Sequence, residues 1–268
     1  MPQIKVDTRY YTITRGESPL VAACLHNGHK VRHSLKDLFS LTPEERLREE
    51  APFTADWATV TDSRIIGHNS RFEMDLDRPP EEAVYKSGEA VNGLQVWKNG
   101  LPEAQEKESL VRYTSFYHDV RQMLLKLKQL HGCFVIYDLH TYNHKLQGPT
   151  GPVADPEENP EVNITTGNMN HERWAPVVEA FQHSLHAYNY QGRHLDVRQN
   201  VQDTGGHFMH WVHETFGDSA CVISISVKKF FMDEWTGEPL NDQVQELQKA
   251  IAHTVPPVLE ALAHVRSP

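Results

Sequence analysis

Long apolar runs are missing from this sequence, and so is a basic segment followed by an apolar core near its amino terminus. No run approaches the roughly 20 residues that a membrane-spanning helix needs. Residues Met1 to Asp7 do not have the pattern of a secretion signal. We therefore expect a soluble, cytoplasmic protein that does not bind membranes.

Cysteine and positive charge are also scarce. The 268 residues include three cysteines, Cys24, Cys133 and Cys221, each inside an apolar run. An odd number of such thiols favours reduced core residues over a disulfide framework or a cysteine-rich zinc site. With 26 Lys and Arg against 36 Asp and Glu, the formal net charge is −10. This balance argues against a nucleic-acid partner, although it is compatible with a local basic pocket.

Two further absences concern organisation and chemistry. No Ser/Gly-rich linker or internal repeat divides the chain, so we expect one domain over residues 1–268. No Gly-x-Ser-x-Gly motif is present, and none of the cysteines has neighbours that would activate it. A serine or cysteine hydrolase is therefore not favoured.

Alternating strand and helix patterns indicate an α/β fold with a mostly parallel or mixed sheet flanked by helices. Thr42 to Glu45 combine a capping hydroxyl, a proline and a glutamate, which predicts a helix running to about Glu50. Apolar residues from Leu110 to Leu130 recur at helical spacing, and Gly132 ends that helix. Further predictions are helices at 172–188 and 241–263, the latter disturbed at Pro256–Pro257, a strand at 220–227 and a long loop at 145–170.

Histidines follow two of the apolar strands. The run Leu20–Leu25 ends in His26, and the run Cys133–Ile136 continues into Asp138 and His140. Two strands that each deliver a histidine at the carboxyl end are typical of a mononuclear zinc hydrolase, with a carboxylate as third ligand. Because the chain has 17 histidines, solvated histidines placed at strand ends by chance are the alternative.

Two further sequence features bear on where a metal could bind. Gly28 is expected to let the backbone pass close to the metal. A second candidate metal site is formed by His207, His210 and His213, which recur every third residue. No carboxylate or cysteine lies at convincing spacing, so surface or pocket-lining histidines are the favoured interpretation.

Ordered blocks of residues over nearly the whole chain resemble the N-formylglutamate amidohydrolase family. The blocks are His26–His29, Leu47–Glu50, Pro52–Thr54, Ser70–Pro79, Asp138–His144, Asn159–Asn163, Gly205–Phe208 and Lys228–Glu238. The resemblance implies a phosphorylase/hydrolase-like α/β fold, akin to zinc carboxypeptidases and aspartoacylase. It also implies hydrolysis of a small N-acyl amino acid, such as N-formylglutamate, by water activated on one zinc ion.

The resemblance also implies roles for particular residues. His26, His140 and Glu50 would be the metal ligands, although Glu49 and Asp56 compete for the third place. Arg71 and Arg78 would grip a substrate carboxylate, or else pair with Asp75 or Asp77 as structural ion pairs. Asp138 and Glu234 would be the catalytic carboxylates. Asp138 would also be a partner of a ligand histidine or of a substrate-binding arginine. Asn143 and His207 would lie beside the substrate.

The sequence departs from the family pattern at three positions. Ser226 stands where relatives carry a glutamate that serves as base, Ala51 where many carry aspartate, and Asp77 where they carry asparagine. A serine cannot act as a general base, and such a base contributes roughly a hundred- to ten-thousand-fold in rate. Two hypotheses follow: a zinc-dependent amidohydrolase, and a catalytically weakened relative that binds an amino acid or peptide in the same pocket.

Overall fold

Eight strands form one mixed sheet, and a separate two-stranded hairpin lies apart from it. A computed structural model describes residues 4–86, 90–91, 93–202 and 204–266. The sheet order is β1-β2-β4-β3-β7-β10-β8-β9. The strands are β1 (Ile4–Asp7), β2 (Tyr11–Arg15), β3 (Leu20–Cys24), β4 (Ser63–Gly67), β7 (Phe134–Tyr142), β8 (Val162–Thr165), β9 (Val197–Gln199) and β10 (Ala220–Lys228), and the hairpin is β5 (Ala90–Val91) with β6 (Leu94–Gln95).

Four neighbouring strands in the middle of the sheet, β4, β3, β7 and β10, are parallel. The strands on either side, β2 next to β4 and β8 next to β10, run antiparallel to them. The predicted α/β fold with a mostly parallel or mixed sheet is confirmed, and the sheet is mixed. Its central strands are apolar on both faces because helices cover both faces.

Six helices flank the sheet, α1 (Pro43–Glu49), α2 (Thr54–Trp57), α3 (Glu103–His131), α4 (His171–Ala187), α5 (His207–Phe216) and α6 (Asn241–Arg266). Buried residues of α4 and α6 pack on one face of the central strands, and those of α3 and α5 on the other. Within the described part of the chain, no helix combines the length and the apolar character needed to cross a membrane.

Local sequence signals correctly predicted the start of α1 and the end of α3. Thr42 accepts a hydrogen bond from the Glu45 amide, and the Glu45 side chain accepts one from the Thr42 amide, so the predicted capping box is confirmed. Helix α3 ends at Gly132, which adopts a positive φ of 78°. Helix α6 runs through Pro256 and Pro257 without interruption. The expected disturbance does not end the helix, whose apolar face stays packed against α4.

One expectation about connecting segments was wrong in part. The predicted loop at 145–170 contains strand β8, whose short β-branched run pairs antiparallel with β10. Gly28 is packed against other backbone, since an added Cβ would lie 2.1 Å from the His68 carbonyl carbon. The close approach that requires this glycine is therefore between two chain segments. All three cysteines are buried, and none of them forms a disulfide.

Candidate active site

A cavity of about 290 Å³ opens at the carboxyl ends of β3, β7 and β10. Strand β3 delivers His26 just after its last residue, and β7 delivers His140. Glu50, which follows the last residue of α1, lines the same cavity. All three residues expected to hold a metal therefore line this one cavity. Arg71 also lines this cavity.

His26 is held in one orientation by a buried carboxylate. Its Nε2 lies 2.6 Å from Asp75 Oδ1. Burial opposes ionisation of Asp75, but Arg71 and His26 outweigh that effect and hold its pKa well below the usual range. An ionised carboxylate can only accept, so Nε2 donates and Nδ1 keeps its lone pair. Burial, with Arg71 adding to it, lowers the pKa of His26 to about 4, so the ring is neutral at pH 7.

Asp75 is fully buried and makes four further hydrogen bonds. Arg71 donates to Oδ2 from Nε at 3.0 Å and Nη2 at 2.8 Å, Tyr85 donates its hydroxyl at 3.0 Å, and the Asp77 amide donates to Oδ1 at 3.0 Å. The structural pairing of Arg71 with Asp75, which the sequence left open, is therefore present. The Nη1 atom of Arg71 does not take part in this pairing. It donates one long hydrogen bond, of 3.5 Å, to the Glu49 carbonyl.

His140 lies beside His26, with ring centroids 5.5 Å apart and the rings edge to face. Its Nε2 is 2.8 Å from Asp138 Oδ2, outside the angular range of a hydrogen bond. Burial lowers the pKa of His140, but Asp138 more than offsets this and raises it to about 9. Metal binding at this ring must therefore displace a proton. Asp138 lies behind His140, where it can orient that ring.

Glu50 carries a carboxylate oxygen without a partner. Its Oε2 lies 2.6 Å from His29 Nδ1, whereas Oε1 is buried and accepts no hydrogen bond. A buried, unsatisfied carboxylate oxygen is costly, and a bound cation would satisfy it. In the described ranges, however, no three His, Cys, Asp or Glu side chains converge as a metal site. The donor types fit zinc, and the side chains would have to close around it.

The three positions that depart from the family pattern line this same cavity. Ser226, on β10, is the register partner of His140, and Ala51 follows Glu50. Asp77 receives a hydrogen bond from the Phe208 amide at 2.9 Å. Burial, reinforced by Asp138 and Asp75, raises the pKa of Asp77 to about 7 even though His140 lowers it. The sequence indicated Asp77 as a departure from the family pattern and as a possible ion-pair partner of an arginine, but not as a site residue.

A second cavity of about 490 Å³ adjoins the first and shares Glu49, Arg71, Thr141 and Tyr142 with it. Asn143 lines this cavity and donates to Glu49 Oε1 at 3.0 Å. The buried Lys229 donates from Nζ to Asn143 Oδ1 at 3.0 Å and to the Arg48 carbonyl. Burial lowers the pKa of Lys229 to about 8, although Glu49 and Glu234 oppose this shift.

Three other predicted site residues lie outside the lining of both cavities. Glu234 is buried and accepts from Arg48 Nη2 at 2.9 Å and from the amides of His144 and Lys145. Arg78 forms an ion pair with Glu82 at 3.2 Å. His207 starts α5 with its ring against Tyr117, 5.7 Å between centroids.

The three regularly spaced histidines on α5 do not share a role. His213 is buried, with Nδ1 2.9 Å from Asn168 Oδ1 and Nε2 accepting from the Val222 amide at 3.0 Å. The expectation of a surface or pocket-lining histidine was therefore wrong for His213. The sequence shows that the three histidines recur every third residue of a helix. It does not show that His213 faces β10, where the amide of Val222 donates a hydrogen bond to its ring.

The buried His213 predicts a pH dependence of stability. Burial, followed by His210 and His171, lowers its pKa from 6.5 to about 4. Below pH 6.5 the unfolded chain binds a proton that the folded chain does not, so the free energy of unfolding should fall by about 2–3 kcal/mol as the pH drops to 4. Urea titrations of the wild type and His213→Gln should show a flatter dependence in the variant. His183→Gln, at an exposed position, is the control, and equal slopes in all three proteins would contradict the assignment.

Comparisons with known proteins agree with this architecture. The structure resembles that of N-formylglutamate amidohydrolase from Ralstonia eutropha JMP134, with 17% identity, a TM-score of 0.69, and 97% of this chain and 99% of that chain covered. It also resembles the crystal structure of a gene product from Agrobacterium tumefaciens, with 15% identity, a TM-score of 0.63, and 93% and 96% of the two chains covered. These likenesses concern the fold.

The sequence itself gives the family. No curated protein matches the chain. The profile described as N-formylglutamate amidohydrolase matches residues 18–228, a span that includes every strand from β3 to β10, the whole lining of the first cavity and all of the second cavity's lining except Lys229. The resemblance found in the sequence is confirmed, and this chain belongs to the N-formylglutamate amidohydrolase family.

Proposed function

We propose that this chain is a zinc-dependent amidohydrolase that cleaves the amide of a small N-acyl amino acid such as N-formylglutamate. The family is one of hydrolases. The observation that carries the proposal is the placement of His26 and His140 side by side, with their rings 5.5 Å apart, next to the unpaired oxygen of Glu50. Two imidazoles and a carboxylate are the donors of a catalytic zinc site.

In this proposal His26, His140 and Glu50 hold the metal. Zinc, when bound, polarises the amide carbonyl and lowers the pKa of a bound water toward about 7. Asp75 keeps His26 in the tautomer that presents Nδ1, and Asp138 performs the corresponding positioning of His140. In this proposal both ligand histidines lie against buried carboxylates, and the hydrogen bond to Asp75 fixes the orientation of His26.

In this proposal the substrate binds where the two cavities meet. Arg71 lines both cavities and is fixed by Asp75 through Nε and Nη2, which leaves Nη1 for a substrate carboxylate. Asn143 and the buried Lys229 line the neighbouring wall. Glu234, held by Arg48 and two amides, would position that wall from behind. These groups favour an N-acyl amino acid that carries a carboxylate.

A second candidate function is motivated by Ser226. This serine lines the cavity on the strand next to His140 and cannot accept a proton from water as a carboxylate does. A chain that retains the ligands but lacks the base would bind an amino acid or peptide with little turnover.

Metal content and amine release from N-formylglutamate, measured together, test both candidates. We expect about one zinc per chain, loss of that zinc in His140→Ala, and turnover by the wild type but not by His140→Ala. His183→Ala, at an exposed position on α4, is the matched control and should keep its zinc. Zinc without turnover would favour the binding function. A wild type without stoichiometric metal would contradict the metal site.

A further inference from the structure

A cluster of cations surrounds a third cavity, which we call the basic cavity. It has a volume of about 640 Å³ and lies beside the segment 29–46. Its basic lining residues are His29, Lys30, Lys36, Arg46 and Lys98, and none of its lining residues described by the structure is acidic. The whole chain carries a net charge of −10. The basic lining of this cavity therefore contrasts with the negative net charge of the chain.

Arg46 gives the basic cavity a buried positive charge that forms no ion pair, although Glu50 and Glu44 act on it from beyond ion-pair distance. The residue is only 9% exposed, and its Nε is buried without a hydrogen-bond partner. Its Nη1 donates to the Leu41 carbonyl at 3.3 Å, and the guanidinium lies 5.2 Å from the centre of the Phe39 ring. Among the side chains that the structure describes, it has no carboxylate within ion-pair distance. Because an unpaired buried charge is costly, an anion in this cavity would supply the missing partner.

The remaining lining indicates what kind of anion fits. Three lysines provide compact charges on flexible stems, which suits a doubly charged phosphate group approached from several directions. Leu41 and Pro43 add apolar surface, and Ser40 and Thr42 add hydroxyls. A cavity of this volume is larger than a phosphate ion needs. The lining therefore matches an organic group attached to a phosphate.

We propose that the basic cavity binds a small organic phosphate. The site is separate from amide cleavage, since it shares no lining residue with either cavity of the active site. Glu50 joins the two regions, because its Oε2 lies 2.6 Å from Nδ1 of His29 and its amide donates to the Arg46 carbonyl at 3.0 Å, and both partners line the basic cavity. The proposal does not depend on the metal or on turnover.

Calorimetric titration of the full-length protein at low ionic strength tests the proposal, with phenyl phosphate, inorganic phosphate and benzoate as probes. We expect saturable binding of phenyl phosphate that weakens at least about tenfold in Lys36→Gln/Lys98→Gln, since each lost lysine removes a charge-assisted contact. Both lysines are exposed, so this variant should fold. Lys126→Gln/Lys249→Gln removes the same charge from exposed positions on α3 and α6 and should bind as the wild type does. Arg46→Lys, which keeps the charge but loses the guanidinium, should also bind more weakly.

The outcomes separate the possible ligands. Tighter binding of phenyl phosphate than of inorganic phosphate would support an organic phosphate as the ligand. Equal binding would show that the phosphate group alone accounts for the affinity and would contradict the organic part of the proposal. The proposal would be overturned by absence of saturable phosphate binding or by benzoate binding as tightly as phenyl phosphate. It would also be overturned if the control double variant weakened binding as much as Lys36→Gln/Lys98→Gln.

Discussion

Replacing Asp75 by alanine is expected to lower the free energy of unfolding by about 3–5 kcal/mol, because it removes one member of a buried ion pair and leaves the other charge without compensation. Asp75 is fully buried and accepts hydrogen bonds from His26, Arg71, Tyr85 and the Asp77 amide. Among the residues that the structure describes, no other carboxylate accepts hydrogen bonds from both His26 and Arg71. The same substitution should release His26 from its fixed orientation.

Urea unfolding of Asp75→Ala, with Asp37→Ala as control, measures this effect. Asp37 is exposed, so its truncation should change the free energy of unfolding by less than about 0.5 kcal/mol. Asp75→Asn preserves the shape of the side chain and should fall between alanine and the wild type. A loss of less than about 1 kcal/mol in Asp75→Ala would show that the surrounding donors find other partners.

Placing a glutamate at position 226 is expected to raise kcat for N-formylglutamate by about a hundred- to ten-thousand-fold, the usual contribution of a general base. Ser226 lines the cavity, and its Cα is the register partner of His140 on the adjacent parallel strand. Neighbouring residues in such a pair point to the same face of the sheet. A carboxylate introduced there would therefore stand beside His140 and His26, the proposed metal ligands.

The control for this experiment is Ser226→Gln, which has the size of glutamate without its basicity. A rise confined to Ser226→Glu, with a new acidic limb in the pH profile of kcat, would identify proton transfer as the missing element. Equal rates in the glutamate and glutamine variants would contradict it. Zinc content measured in both would show whether the added side chain disturbs the metal ligands.

Much of the site could be predicted from the sequence because its residues follow local signals. His26 and His140 end apolar strand runs, and parallel strands place such ends at one edge of a sheet. Glu50 follows a helix whose start is marked by Thr42 and Glu45. Each of these positions is set by the few residues around it.

The remainder depends on contacts between distant segments. The four-residue spacing of Arg71 and Asp75 allowed an ion pair, but the link from Asp75 to His26 joins residues that only the folded chain brings together. The same is true of Lys98 beside Lys36. Strand β8 was missed because four residues in a segment rich in turn formers carry too little periodicity to be recognised.

The position of β10 has a consequence for synthesis of the chain. This strand is inserted between β7 and β8, yet it is the last strand of the sheet to leave the ribosome. Until residues 220–228 emerge, the hydrogen-bonding edge of β7 is open, and unpaired strand edges of this kind attract other chains. A nascent chain already contains His26, Glu50 and His140 at that stage but cannot complete the cavity around them. We therefore expect this pocket to fold late, and we expect premature termination before β10 to yield an aggregation-prone product.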